Sequence, residues 1–122
     1  MKQSAAELLG NLSQFTGTER YFRVLPTFVV TDGLMYLMEE AGCYWLAQLY
    51  GLHLVSVDAG DNPFTVLKFQ REGEGGMVKI EDGNGVVLAW QGLDYTDFPL
   101  DQYSLYACWD GEKWVGMLTS EY

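Results

Sequence analysis

Carboxylates are the side chains of this sequence whose type and spacing could do chemistry. Asp94 and Asp97 flank a Tyr-Thr pair, and Asp101 follows two residues after Pro99. Two neighbouring carboxyl groups can hold different pKa values and so share the roles of general acid and general base. The same residues also suit a solvent-exposed turn, because Asp and Pro favour turn conformations. The pattern therefore predicts a turn first, and acid–base chemistry only as an alternative.

A second set of polar residues occurs earlier, in the segments TGTER (16–20) and TDG (31–33). Helix capping accounts for Asp32, because Asp and Thr are favoured where a helix begins. If both segments met YTDFP (95–99) at one end of a sheet, they would form a catalytic or small-molecule site. The residues of this alternative polar site are Thr18, Glu19, Asp32, Tyr95 and Asp97.

The sequence lacks the usual ligands of a metal site and the usual partners of a nucleophile. Structural zinc needs four Cys or His ligands, and the chain has two cysteines and one histidine. His53 is the sole histidine that could activate Cys43 or Cys108, and neither cysteine lies in a protease signature. We therefore expect no metal, no other cofactor and no catalytic residue. Enzymatic activity stays open but is less favoured than binding.

The charge is strongly negative and unevenly distributed. Seventeen acids and seven bases give a net charge of −10. Residues 1–57 hold five acids and three bases, whereas residues 58–122 hold twelve acids and four bases. Such a field repels nucleic-acid phosphates and anionic membranes and attracts basic protein surfaces, although it also serves solubility alone.

Aromatic residues accompany the acids in the last third of the chain. Tyr and Trp are common anchors of protein interfaces. We therefore expect a basic protein surface as the partner, with no direct binding of nucleic acid or membrane. The residues expected to bind it are Asp58, Asp61, Glu72, Glu74, Asp94, Tyr95, Asp97 and Asp101.

The cysteines and the hydropathy pattern bear on the compartment. Cys43 and Cys108 stand in apolar surroundings and are too few for a disulfide scaffold, so we expect both to be reduced and at least half-buried. The N-terminal segment does not resemble a signal peptide. No segment reaches the roughly 20 apolar residues that span a bilayer. These features predict a cytoplasmic location.

The elements that must position these residues are helices followed by strands. Helical spacing of apolar residues predicts helices over 3–14 and 31–50, and residues 20–30 predict a strand interrupted by Pro26. From residue 64, five alternating segments are divided by turns, two of them Asp-Gly. We expect a single domain over residues 1–122, of the α+β class. Its N-terminal helix and one central core helix would pack on a four- to five-stranded antiparallel meander sheet.

Several phrases of the sequence resemble a known family. They are FTGTERYFR (15–23), TDGLMYLMEEAGCYWL (31–46), DGNGVVLAWQGLDYTDFPL (82–100) and LTSEY (118–122). Together they are similar to a DUF6876-like family of small bacterial proteins known only as a domain of unknown function. The resemblance implies a plasmid, prophage or phage setting and no particular activity. In such a setting, small acidic proteins often occupy a host protein, sometimes by imitating nucleic acid.

Two functions therefore remain open. The first is a protein-interaction module that binds or inhibits a host protein with a basic surface, as in counter-defence or nucleic-acid mimicry. The second is a small enzyme or ligand-binding domain whose site gathers TGTER, TDG and YTDFP. A homodimer formed through a sheet edge or a helix face is a third alternative.

Overall fold

Three helices pack on one face of a seven-stranded mixed sheet. The computed structural model describes residues 4–122. The helices are α1 (Ala5–Leu12), α2 (Asp32–Ala41) and α3 (Tyr44–Leu54). The strands are β1 (Tyr21–Leu25), β2 (Phe28–Thr31), β3 (Phe64–Glu72), β4 (Gly75–Glu81), β5 (Val87–Leu93), β6 (Gln102–Trp109) and β7 (Trp114–Leu118). A 3₁₀ turn, Thr119–Glu121, follows β7.

The strands lie in the order β1-β2-β7-β6-β3-β4-β5. Neighbouring strands are antiparallel except for β2 and β7, which are parallel. Strands β3, β4 and β5 follow one another as hairpins, and β6 then returns to the far side of β3, which is Greek-key connectivity. The loop 94–101 therefore crosses the ends of β4 and β3, a span of about 14 Å between β5 and β6.

The expected α+β class is confirmed, but the expected meander of four to five antiparallel strands is wrong. Strand β6 pairs with β3 instead of β5, because loop 94–101 is too long for a tight hairpin. The strand expected over 20–30 is divided at Pro26 and Thr27 into the β1–β2 hairpin. Parallel pairing of β2 with β7 then adds this hairpin to the sheet.

The central helix expected over 31–50 is two helices. Gly42 adopts a left-handed conformation with φ of 63°, and its N–H bonds to the carbonyl of Met38, which closes α2. The Thr31 hydroxyl begins α2 by accepting the N–H of Leu34 at 3.2 Å. The N-terminal helix expected from residue 3 is α1, capped by Ser4, and residue 3 itself lies outside the described residues.

The core lies between the helices and the sheet. Leu67 and Phe69 on β3 are buried on the covered face, whereas Lys68 between them is exposed on the open face. Tyr50 of α3 is completely buried, and its hydroxyl hydrogen-bonds the Thr65 hydroxyl at 2.9 Å. The sheet thus alternates apolar and polar residues between a covered and an open face. Within residues 4–122, none of the helices has both the length and the apolar character needed to cross a membrane.

Candidate acidic interaction surface

The crossing loop 94–101 lies against the turn that joins β3 to β4. Thr96 donates its backbone N–H to the carbonyl of Glu74 at 2.9 Å. At the other end of the loop, Arg71 donates its backbone N–H to the carbonyl of Asp101 at 2.7 Å. These two bonds fix the loop to the turn and to the end of β3, so the acids of these segments lie at one end of the sheet.

The Arg71 side chain binds this loop through its guanidinium group. Its guanidinium donates to the carbonyl oxygens of Thr96 and Phe98, and its Nε lies 3.4 Å from the carboxylate of Asp101. The Phe98 ring is buried and packs edge-on against Phe69, with ring centroids 4.8 Å apart. The Arg71 guanidinium therefore donates mainly to backbone carbonyls. Asp101 is the one acidic side chain of the loop with which it forms an ion pair.

Six of the eight residues predicted to bind a basic partner gather here. We call them the acidic end surface: Glu72, Glu74, Asp94, Tyr95, Asp97 and Asp101. All six side chains are exposed, and Tyr95 retains 72 % of its accessible surface. Among the described residues, Asp101 is the only one of these five acids that forms an ion pair. The surface thus combines several carboxylates that form no ion pair with one exposed aromatic ring, although Glu72 also lines a groove on the open face with Lys68 and Lys79.

The other two predicted residues, Asp58 and Asp61, lie elsewhere. The Asp58 carboxylate accepts the backbone N–H groups of Gly60 at 2.9 Å and of Asp61 at 3.3 Å, so it stabilises its own turn. This turn precedes the first residue of β3, whereas the acidic end surface begins at the last residue of β3, Glu72. A nine-residue strand, about 30 Å long, separates the two groups.

The segments TGTER and TDG meet at Glu121, a residue that none of the site predictions from the sequence included. Its Oε1 accepts the Thr31 hydroxyl at 2.6 Å and the Leu118 N–H at 3.0 Å. Its Oε2 accepts the Gly33 N–H at 3.2 Å and the Thr18 hydroxyl at 3.4 Å. The carboxylate therefore accepts one backbone N–H at the start of α2, where helices leave N–H groups unpaired, and one at the end of β7.

Close approach of Glu121 to α2 depends on Gly33. A Cβ at position 33 would lie 2.5 Å from Glu121 Oε1, so any side chain there would displace the Glu121 carboxylate. Burial and the nearby Asp32 carboxylate raise the pKa of Glu121, while the hydrogen bonds from Thr31, Leu118 and Gly33 oppose that rise. Asp32 in turn accepts the Glu19 N–H at 3.5 Å.

Tyr95 and Asp97 do not join this cluster. Thr31 caps the beginning of α2, whereas Asp97 acts on Cys43, which follows the end of that helix, about 15 Å away. In residues 4–122 no hydrogen bond links YTDFP to Thr18, Asp32 or Glu121. The structure therefore assembles Thr18, Glu19 and Asp32 of the alternative polar site and leaves its other two members apart.

The cysteines and the histidine are placed for packing. Both cysteines are free, Cys43 buried and Cys108 half-buried, as expected. Burial, helped by the Asp97 carboxylate, raises the pKa of the Cys43 thiol to about 12, so this thiol is protonated and unreactive at neutral pH. His53 Nε2 hydrogen-bonds Gln91 Oε1 at 2.9 Å. Across the described chain no three His, Cys, Asp or Glu side chains are grouped to hold a metal ion.

Fold and surface together define an α+β protein with a helix-covered mixed sheet and an acidic end. The chain belongs to the family of unknown function DUF6876, whose sequence model matches residues 6–122. This confirms the resemblance drawn from the sequence phrases. No curated protein matches the chain. A crystal structure of a protein of unknown function from Enterococcus faecalis is similar, with a TM-score of 0.55 and 16 % identity over 79 % of this chain and 90 % of that chain. That likeness concerns the fold alone.

Proposed function

We propose that this protein is an interaction module whose acidic end surface binds a basic surface on another protein. The observation that carries the proposal is the grouping of five exposed carboxylates and Tyr95 by the crossing loop and the β3–β4 turn. Carboxylates so arranged steer a basic partner, and an exposed tyrosine supplies an anchor at little entropic cost. The partner is therefore a protein surface rich in Lys or Arg.

Nucleic-acid mimicry is the specific form of this function that the charge pattern supports best. A protein that binds DNA or RNA presents Lys and Arg spaced to neutralise phosphates. The acidic end surface would occupy such a site and inhibit its owner. In the mobile-element setting implied by the family resemblance, this activity would serve counter-defence against a host.

Salt-dependent affinity capture with matched charge variants tests the proposal. The tagged wild-type chain should capture a basic protein at low salt and release it at high salt, because salt screens exposed charges. The triple variant Glu72→Gln, Glu74→Gln, Asp97→Asn should lose that protein. A control variant with Glu39→Gln, Glu40→Gln and Glu112→Gln removes the same charge from α2 and the β6–β7 turn and should retain it.

Two results would overturn the proposal. One is an absence of any basic protein captured at low salt. The other is equal loss in the two triple variants, since that would make total charge, and not the acidic end surface, the cause of binding.

The alternative function, a small enzyme or ligand-binding domain, would now centre on Thr18, Glu19 and Asp32 beside Glu121. What favours it is a half-buried carboxyl group with a raised pKa beside a second carboxylate. Against it, Glu121 already accepts four hydrogen bonds from the protein itself. Tyr95 and Asp97 belong instead to the acidic end surface, so we place the interaction function first.

A further inference from the structure

The two edges of the sheet are protected very differently. Strand β1 has five residues, a register shift between Arg23 and Leu25, and Pro26 directly after it. Arg23 also donates a side-chain hydrogen bond to the Pro26 carbonyl. Short length, bulges, charges and prolines are the usual devices that keep an edge strand from pairing with another chain. The β1 edge has all four.

Strand β5, at the opposite edge, has few of these devices. Its seven residues, VLAWQGL, include no charged residue and no proline. A register shift affects only its beginning, opposite Ile80 and Glu81, and the pairing with β4 is regular from Ala89 to Leu93. Trp90 and Val87 remain 65 % and 46 % exposed. The outward backbone groups of β5 are therefore a free template for another strand.

Helix α3 packs on β1 and β2, where Gly51 lies against Leu25 and Phe28, and it also reaches β5 through His53. It thereby extends the uncharged surface beside the β5 edge. Its eleven residues, YWLAQLYGLHL, include no Asp, Glu, Lys or Arg, and apolar residues occupy all of its sides. Leu52 is 61 % exposed and lines a groove with Trp45, Leu49 and Gln91, so the groove lies between α3 and β5. The hydrogen bond from His53 to Gln91 fixes the helix to the strand. A helix without a polar face is normally covered on every side.

We infer that the β5 edge, together with the exposed side of α3, is an interface between two copies of this chain. A two-fold axis would pair β5 antiparallel with its symmetry mate and bring the two α3 helices together above the extended sheet. The charge of the protein favours a second copy of the chain as the partner at this surface. Because each copy has a net charge of −10, two copies repel each other least where they meet through a surface that has no charge. This inference does not depend on the proposed function.

Antiparallel pairing also keeps the acidic end surfaces apart. Each one adjoins the end of β5, so the two would lie at opposite ends of the paired strands, about 24 Å from one another. Asp94 directly follows β5 and Asp82 begins the turn before it, so antiparallel pairing would bring Asp82 of one copy towards Asp94 of the other. Salt should therefore strengthen this association, whereas it should weaken binding of a basic partner.

Sedimentation of the full chain at about 50 mM and about 500 mM NaCl tests the inference. The expected mass is twice 13.8 kDa, with a lower dissociation constant at the higher salt concentration. Trp90→Glu should raise the dissociation constant at least tenfold. That variant should still fold, because position 90 lies directly opposite Lys79 on β4, where a glutamate gains a cross-strand ion pair.

Tyr21→Glu is the matched control, because Tyr21 is an aromatic residue, 58 % exposed, on the protected edge strand β1. Its dissociation constant should equal that of the wild type. Leu52→Glu tests the contribution of α3 and should weaken the dimer as Trp90→Glu does.

A monomer at every concentration and salt level would overturn the inference and leave the β5 edge to a strand of a different protein. A dimer that survives both Trp90→Glu and Leu52→Glu would overturn it by placing the contact elsewhere.

Discussion

Glu121 and Arg71 play the same role with opposite charges. Each side chain reaches backbone groups of a segment far away in sequence: Glu121 ties the turn after β7 to the start of α2, and Arg71 ties β3 to the crossing loop. Both side chains are already engaged by hydrogen bonds within the protein. Charged side chains that bind backbone groups inside a fold contribute more than exposed ion pairs do.

The raised pKa of Glu121 predicts how stability depends on pH. A carboxyl group whose pKa is higher in the folded state stabilises the fold while it is protonated, below about pH 4.3, and loses that contribution as the pH rises through the folded value. Glu121→Gln places a group that does not titrate at this position, so the stability of the variant relative to the wild type should rise progressively as the pH rises. Urea unfolding of both proteins between about pH 4 and pH 8 measures the difference. A Gln variant that loses stability relative to the wild type with rising pH would contradict the shift.

Residue-level patterns reveal local roles and miss distant ones. Asp94, Asp97 and Asp101 lie in one loop with Tyr95, so the sequence could place these four members of the acidic end surface together. Glu121 was missed because its partners Thr18, Thr31 and Gly33 lie 103, 90 and 88 residues away. The LTSEY phrase of the family resemblance was the one available signal, and it does not say what the glutamate touches.

At the level of elements, the turns were predictable because their chemistry is local. Asp82 Oδ1 accepts the backbone N–H groups of Asn84 and Val86 in the first Asp-Gly turn. In the second, the N–H groups of Glu112 and Lys113 lower the pKa of Asp110 to about 2. The strand order could not be predicted in this way, because nothing within the β2 or β7 sequence specifies their parallel pairing. The segment between β5 and β6 contains no Asp-Gly turn, and its eight residues, 94–101, are more than a tight hairpin needs. This length was the available indication that β6 does not pair with β5 and that the strands form a Greek key.

The division of the central helix at Gly42 predicts opposite effects of one substitution at two glycines. Gly42→Ala should lower the free energy of unfolding by about 1 kcal/mol, because residue 42 has φ of 63° and alanine resists the left-handed conformation. Gly10→Ala, in α1, should raise it by about 0.5–1 kcal/mol, because a Cβ there meets no atom within 4 Å and alanine favours the helix. Urea unfolding measures both values. Equal signs at the two positions would contradict the assigned helix boundaries.

For the whole molecule, charge and topology act together. The Greek-key crossing gathers acids at one end of the sheet, while β5 and α3 form a surface with no charge beside it. The first surface suits a basic partner and the second suits another copy of the chain. If both proposals hold, a dimer would present two acidic end surfaces facing away from each other, and a partner with two basic sites would gain from binding both.

The crowding of acids predicts that salt stabilises this fold through the acidic end surface. The Debye length falls from about 30 Å at 10 mM salt to about 8 Å at 150 mM, so repulsion among exposed carboxylates weakens across this range. In a Trp90→Glu background, which removes the inferred dimer, the thermal midpoint should rise by about 2–4 °C. The triple variant Glu72→Gln, Glu74→Gln, Asp97→Asn should show a clearly smaller rise, and the triple variant at Glu39, Glu40 and Glu112 should keep most of it. Equal rises in the two variants would mean that the crossing loop does not concentrate the negative field, and the proposed binding of a basic partner would lose its physical basis.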